Sequence, residues 1–187
     1  MIDSYRFAIP VTVSLMLCVH GCASRPDKEI QLAQDAMNQA LEQRAEEYAP
    51  AEWKSAKEAW DQAQAQLGQE RYASAAASFV TAKARLLKAA EVAKAERESM
   101  RTQVANLQQV MASNFANLKA GAAQAKLAGA ARKEYEAALA DIDKRIALVA
   151  SQVDQGDYIG AKKNAQGALQ AIDYAMKKFQ IATKPPR

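Results

Sequence analysis

The chain has 187 residues and a formal net charge of +4, and 50% of its residues are hydrophobic but only 6% aromatic. Its two cysteines and its single histidine all lie between Cys18 and Cys22. Residues 23–187 can therefore form no disulfide, no Cys/His zinc site and no catalytic centre that depends on cysteine or histidine. With few glycines and prolines in an alanine-rich chain, this composition predicts an all-α protein.

The N-terminal segment has the layout of a secretory signal. A short polar start precedes residues 7–19, which carry no charge and are followed by small residues. As a helix this apolar segment would span about 20 Å, which is too short for the ~30 Å hydrocarbon core of a bilayer. We interpret residues 1–21 as a cleaved signal peptide. A plain secretory signal without lipidation and an uncleaved anchor are the alternatives.

The end of this segment, Val19-His20-Gly21-Cys22, resembles the signal of bacterial lipoproteins. That family has an aliphatic residue three positions before an essential cysteine and a small residue directly before it. The resemblance implies cleavage between Gly21 and Cys22 and covalent lipidation of Cys22, and we expect no cofactor beyond this lipid. Ala23 rather than aspartate follows the cysteine, which implies an outer-membrane lipoprotein that faces the periplasm. Two or three acyl chains, at about 0.8 kcal/mol per buried methylene, would hold it there durably.

The pattern of apolar residues predicts a series of long helices. The apolar face of helix 1 consists of Ile30, Ala33, Met37, Leu41, Ala45 and Tyr48. Residues 72–118 contain no helix breaker, so they predict one helix about 70 Å long, which needs a partner along its length. That partner could be a second hairpin, another copy of the protein or a different protein.

The predicted organisation has six parts. In order they are a signal peptide (1–21), a lipidated tether (22–26), helix 1 with a first helical hairpin (27–98), a helical extension and connector (99–130), a second helical hairpin (131–181) and a tail (182–187). The break in the connector is expected within residues 121–130. Gly68 is expected to break the helix in the first hairpin, so that its two arms fold back on each other.

The two predicted hairpins look like copies of each other. The apolar face of the first consists of Trp53, Ala56, Trp60, Ala63, Leu67, Tyr72, Ala75, Phe79, Ala82, Leu86, Ala89 and Ala93. Adding 86 to each number gives Leu139, Ile142, Ile146, Val149, Val153, Tyr158, Ala161, Ala165, Ala168, Ile172, Ala175 and Phe179. All twelve positions are again apolar or tyrosine, which predicts a duplicated, coiled-coil-like hairpin in which the two tryptophans are core residues.

Two families share parts of this pattern. A tyrosine followed by alanines three and ten positions later is similar to the second helix of tetratricopeptide repeats, but that family repeats every 34 residues with short helices. Residues 33–95, with "YAP" between alanine-rich helices and a tyrosine after the turn, resemble small bacterial envelope lipoproteins classified only as a domain of unknown function. The second resemblance implies a periplasmic helical lipoprotein and no activity.

Charge is distributed unevenly along the chain. Residues 22–98 carry 11 basic and 13 acidic side chains, and residues 99–187 carry 13 basic and 7 acidic ones. A long stretch of the second half has basic residues but no acidic residue, and these are Arg101, Lys119, Lys126, Arg132 and Lys133. They are candidates for contact with an anionic surface, such as lipid phosphates, peptidoglycan carboxylates or an acidic partner. A solvated face is the alternative.

These features favour a non-enzymatic lipoprotein of the bacterial cell envelope. We expect a lipid-anchored scaffold, spacer or interaction protein whose partner is an envelope protein or peptidoglycan, with no nucleic acid bound. A peptide- or protein-binding adaptor of the helical-repeat type is the second hypothesis. An enzyme with paired carboxylates is the third, since Glu46–Glu47 and Asp141–Asp143 are the densest carboxylates, but such neighbours on a helix do not face each other. The sequence leaves the oligomeric state open.

Overall fold

The computed structural model describes residues 24–125 and 127–181, which form six α-helices and no strand. In chain order these are α1 (Asp27–Glu42), α2 (Ala45–Tyr48), α3 (Pro50–Gly68), α4 (Tyr72–Gln124), α5 (Gly129–Asp154) and α6 (Tyr158–Lys178). The predicted all-α class with long packed helices is confirmed. The break expected within residues 121–130 separates α4 from α5.

Helix α4 is the longest element and organises the rest. It has 53 residues, so it is about 80 Å long. Apart from Ala90 at the edge, its buried side chains follow one another in steps of three, four, seven or eleven residues and therefore share one face. They are Ala75, Phe79, Ala82, Leu86, Ala89, Ala93, Val104, Met111, Phe115 and Leu118. The helices that pack on α4 consequently lie on the same side of it.

The helices form two units that share α4. The first unit consists of α1, α2, α3 and residues 72–98 of α4, and the second consists of residues 99–124 of α4 with α5 and α6. In the first unit α4 lies between α1 and α3, and in the second α6 lies between α4 and α5. Of the three partners predicted for the long helix, the second hairpin covers its C-terminal half, and α1 and α3 cover its N-terminal half.

The 86-residue correspondence between the two hairpins extends to the burial of their side chains. In each of the twelve predicted pairs, both residues are buried or both are partly buried. Each hairpin also has a hydrogen bond between its own two arms. Ser78 Oγ donates to Gln66 Oε1 at 2.7 Å in the first, and Asn164 Nδ2 donates to Gln152 Oε1 at 2.8 Å in the second. These contact residues are again 86 positions apart. Each unit is therefore a version of the same packing arrangement.

The hairpin turns also have the same geometry. Each turn is closed by two backbone hydrogen bonds at matching positions and contains one residue in the left-handed region. That residue is Glu70 in the first turn, with φ of 55°, and Gly156 in the second, with φ of 72°. The predicted break of the helix at Gly68 is confirmed. Gly68 is the last residue of α3, and the left-handed conformation falls two residues later.

The apolar face predicted for helix 1 extends beyond the end of that helix in the structure. α1 ends at Glu42, Arg44 takes the left-handed conformation with φ of 55°, and the short helix α2 follows. Leu41 is 52% exposed, and Ala40 is buried in its place. α3 then starts at Pro50, at a position where a helix tolerates proline.

Aromatic side chains pack between the helices of both units. Trp53 and Trp60 are partly buried against the core of the first unit, as predicted, and the Trp60 ring meets Phe79 edge-on at 5.6 Å between centroids. In the second unit Tyr135 contacts Phe179 in the same way at 5.3 Å. The hydroxyl of Tyr135 donates to the backbone carbonyl of Leu118 at 2.9 Å, and burial raises the pKa of this phenol.

Candidate functional site

The proposed lipidation site, Cys22, and the cleavage position after Gly21 lie outside the described residues. The described chain begins two residues after Cys22, and α1 starts at Asp27. Near its start, Ile30 and Ala33 pack in one cluster with residues on both sides of the α3–α4 turn. The tether therefore enters the molecule at the end that carries this turn. We call it the tether end, and the opposite end, where α4 gives way to α5, the distal end.

The predicted basic residues do not form a single site. The hydroxyl of Tyr135 in α5 bonds to Leu118 near the end of α4. Lys119 therefore lies near Arg132 and Lys133 at the distal end. Arg101 lies 18 residues before Lys119 on the same helix, which is about 27 Å away. Lys126 lies outside the described residues.

Several of these cations are already engaged locally. Arg101 pairs with Glu98 at 3.3 Å, and Arg132 pairs with Glu136 at 3.0 Å. The Lys119 ammonium lies 4.0 Å from the centre of the Phe115 ring. Since the two ion pairs are exposed, they cost little to exchange for contacts with an external anion.

The densest carboxylates do not converge on a cleft. Glu47 pairs with Arg44 at 2.6 Å, and Asp141 pairs with Arg145 at 2.7 Å. Among the residues that the structure describes, no group of three or more His, Cys, Asp or Glu side chains is placed to hold a metal ion. Over the same residues, no helix has the length and apolar character needed to cross a bilayer.

Each hairpin carries a shallow groove at the same place. The α3–α4 groove has a volume of about 260 Å³ and is lined by Ala51, Glu52, Ser55, Arg85 and Lys88. The α5–α6 groove, about 190 Å³, is lined by Glu134, Ala138, Asp141, Ile142, Ala171, Tyr174, Ala175, Lys178 and Phe179. The residues at 52, 55, 85 and 88 correspond to those at 138, 141, 171 and 174 under the 86-residue shift. The two hairpins thus carry grooves at equivalent positions with different linings.

The α5–α6 groove has an apolar floor and a charged rim. Ile142 and Ala175 are buried beneath it, and Tyr174 is 66% exposed beside it. At one end Lys178 bonds to Glu134 at 2.9 Å, which raises the pKa of the lysine. This groove is the only one of the two whose lining includes an exposed aromatic ring.

Side chains of the first unit hold the α5–α6 turn of the second. The carbonyl of Gly156 accepts from Arg44 Nη1 at 3.1 Å and from the hydroxyl of Tyr48 at 3.3 Å. The same hydroxyl accepts from the backbone N–H of Tyr158 at 3.2 Å. Glu47, which bonds to Arg44, raises the pKa of that guanidinium and keeps it in place. The sequence pattern gives no signal for these contacts, because they join residues more than 100 positions apart.

No family model, no curated protein and no solved structure matches this chain. The resemblances to lipoprotein signals and to envelope lipoproteins therefore stay predictions from the sequence.

Proposed function

We propose that this protein is a non-enzymatic, lipid-anchored lipoprotein of the bacterial cell envelope, which acts as a helical scaffold or spacer on the periplasmic face of the outer membrane. The observation that carries the proposal is the position of the tether. The lipidated Cys22 would lie at one end of a molecule whose central helix is about 80 Å long. An anchor at that end lets the molecule project from a membrane.

The surface of the described residues also supports a binding role over catalysis. Its two equivalent grooves are shallow, and the cations and carboxylates along the helices pair with each other at exposed positions. Long packed helices with exposed side chains suit contacts spread along a surface better than chemistry in an enclosed site.

The position of the tether also limits which anionic surface the basic residues could contact. Lys119 lies 47 residues after the start of α4, so it is about 70 Å from the tether end. In an upright molecule Lys119, Arg132 and Lys133 would face away from the anchoring bilayer. Peptidoglycan carboxylates or an acidic envelope partner are therefore better candidates than lipid of the same membrane.

Mass spectrometry tests the anchor directly. We expect the protein extracted from bacterial membranes to have the mass of a chain that starts at Cys22 and carries a diacylglycerol and one further acyl chain. A Cys22→Ser variant should lose both the lipid and the cleavage. An unmodified mass in the wild-type protein, or a chain that keeps residues 1–21, would contradict the proposal.

A peptide- or protein-binding adaptor is the second candidate function. It is favoured by Tyr174, whose ring is exposed beside the apolar floor of the α5–α6 groove. Crosslinking from a photoreactive residue at position 174 in living cells, compared with one at the exposed position 51 in the α3–α4 groove, would test it. Specific crosslinks from 174 alone would favour the adaptor.

A further inference from the structure

The outward face of α4 in the first unit carries an uncovered apolar seam. Its members follow one another in steps of four and three residues, which is the spacing of a coiled-coil contact. We call them the α4 seam: Ala73, Ala77, Val80, Ala84 and Leu87. All five are exposed, Val80 by 57% and Leu87 by 38%, and they lie opposite the helix face that holds Phe79 and Leu86 in the core.

The second unit shows that the fold does not require this seam. α6 occupies the place in the second unit that α4 occupies in the first. Under the 86-residue shift, the α4 seam corresponds to Ile159, Lys163, Gln166, Gln170 and Asp173. Four of these five are polar, so a helix in this position folds with a polar outward face. The apolar residues on α4 therefore serve something other than the packing of their own unit.

Basic residues border the α4 seam. Residues 71–90 contain four basic side chains and no acidic one. Lys83 and Lys88 lie on the two sides of the seam, and Arg85 turns towards α3, where its Nη1 donates to the backbone carbonyl of Ser55 at 3.2 Å. Over residues 24–125 and 127–181, the ion pairs of 4.0 Å or less involve other cations than Lys83 and Lys88.

The charge pattern decides between two possible occupants. A second copy docked seam to seam would bring the lysines of one copy against those of the other, which is unfavourable at the flanking positions of a coiled coil. A helix with acidic flanks would meet them favourably. The 15 residues from Ala73 to Leu87 span about 22 Å, enough for roughly four turns of a partner helix.

We propose that the α4 seam docks an amphipathic helix of a partner protein that has small and aliphatic side chains on one face and acidic residues on both sides of it. The contact is short, so we expect weak, reversible binding. This inference names the kind of partner that the proposed scaffold would hold and rests on that proposal. It does not depend on the lipid anchor, so the mass measurement and the binding test can fail separately.

Peptide binding to the full-length protein tests the proposal. The probe is a fluorescent 21-residue helical peptide with leucine and alanine at the contact positions and glutamate at the flanks, with a lysine-flanked peptide as its control. A Val80→Gln/Leu87→Asp variant places the residues of α6 on the α4 seam. A Val110→Gln/Leu148→Gln variant changes two other side chains, each 49% exposed, and serves as the matched control.

We expect the glutamate-flanked peptide to bind the wild type at least about tenfold more tightly than the lysine-flanked one. The seam variant should lose at least about tenfold in affinity, and the control variant should stay within about twofold. Circular dichroism should show equal helix content in all three proteins. Equal affinity for both peptides, no binding of the glutamate-flanked peptide, or equal binding by the seam variant would overturn the proposal.

Two further measurements separate other occupants. Sedimentation that shows a dimer lost in the seam variant would assign the seam to a second copy. Binding to vesicles of phosphatidylglycerol that is lost in the same variant would assign it to a membrane. Either result would overturn the proposal. A monomeric protein that does not bind the vesicles would support it.

Discussion

At the scale of single residues, a few backbone positions decide where the helices end. Arg44, Glu70 and Gln180 adopt the left-handed conformation although none of them is a glycine. This conformation costs an L-residue about 1–2 kcal/mol, because its Cβ approaches the following carbonyl oxygen. The sequence predicted that both hairpins turn, but not which residue bears the left-handed conformation. The sequence pointed to Gly68 in the first turn, but the residue that adopts the left-handed conformation there is Glu70.

Replacing Glu70 with glycine should stabilise the protein. The change removes the left-handed strain and restores the residue type found at the equivalent position, Gly156. Part of this gain is lost because glycine gives the unfolded chain more freedom, so we expect an increase of about 0.5–1 kcal/mol in the free energy of unfolding. Urea denaturation followed by circular dichroism measures it. The reciprocal Gly156→Ala change should destabilise, and a loss of stability in Glu70→Gly would contradict the assignment of strain.

At the scale of helices, alanine is the main contact residue. Ala33, Ala36 and Ala40 of α1 are at most 1% exposed, and α4 presents a matching row of buried alanines. Small side chains let helix axes approach closely. The predicted apolar face of helix 1 included Ala33 but neither Ala36 nor Ala40. Their partners were not visible, because alanine occurs on both faces of α4. Periodicity therefore predicted only part of the buried face of α1 and missed the end of that helix.

Enlarging one of these alanines should disrupt the contact between α1 and α4. Ala40 is fully buried beside Leu86 and Ala89, so Ala40→Leu inserts a larger side chain where the core has no room. We expect a loss of about 1–3 kcal/mol in the free energy of unfolding, measured by urea denaturation. The neighbouring Leu41→Ala, at a 52% exposed position, should change stability by less than about 0.5 kcal/mol. Equal effects from the two changes would argue against tight packing of α1.

At the scale of the whole molecule, one continuous helix connects two similar units. The sequence predicted both hairpins and the unbroken helix between them, because these depend on apolar spacing and on the absence of helix breakers. It could not predict that both units lie on the same side of α4, nor that Arg44 and Tyr48 hold the α5–α6 turn. Both facts depend on contacts between distant parts of the chain. The α4 seam was not predicted, because three of its five residues are alanines and alanine occurs on both faces of that helix.

A proline in the middle of α4 should uncouple the units. Glu96→Pro removes a helical hydrogen bond at an exposed position between the two cores and costs about 3 kcal/mol or more. Both tryptophans belong to the first unit, so fluorescence follows that unit alone, and circular dichroism follows both. We expect the two urea transitions to coincide in the wild type and to separate in Glu96→Pro. Glu96→Ala is the control, and coincident curves in the proline variant would show that the contacts of Arg44 and Tyr48 with the α5–α6 turn suffice for coupling.

The shared helix has a consequence for how such a molecule can change its reach. Lys162 Nζ meets Gln103 Oε1 at 2.7 Å, so the start of α6 lies level with a point about 27 residues along α4. Each unit of 86 residues therefore advances the molecule by about 40 Å. If α6 continued past Lys178 as α4 continues past Ala93, it would supply the first helix of a third unit. Tandem duplication can thus lengthen a molecule of this architecture in fixed increments, because each added unit packs through the same helix–helix interface.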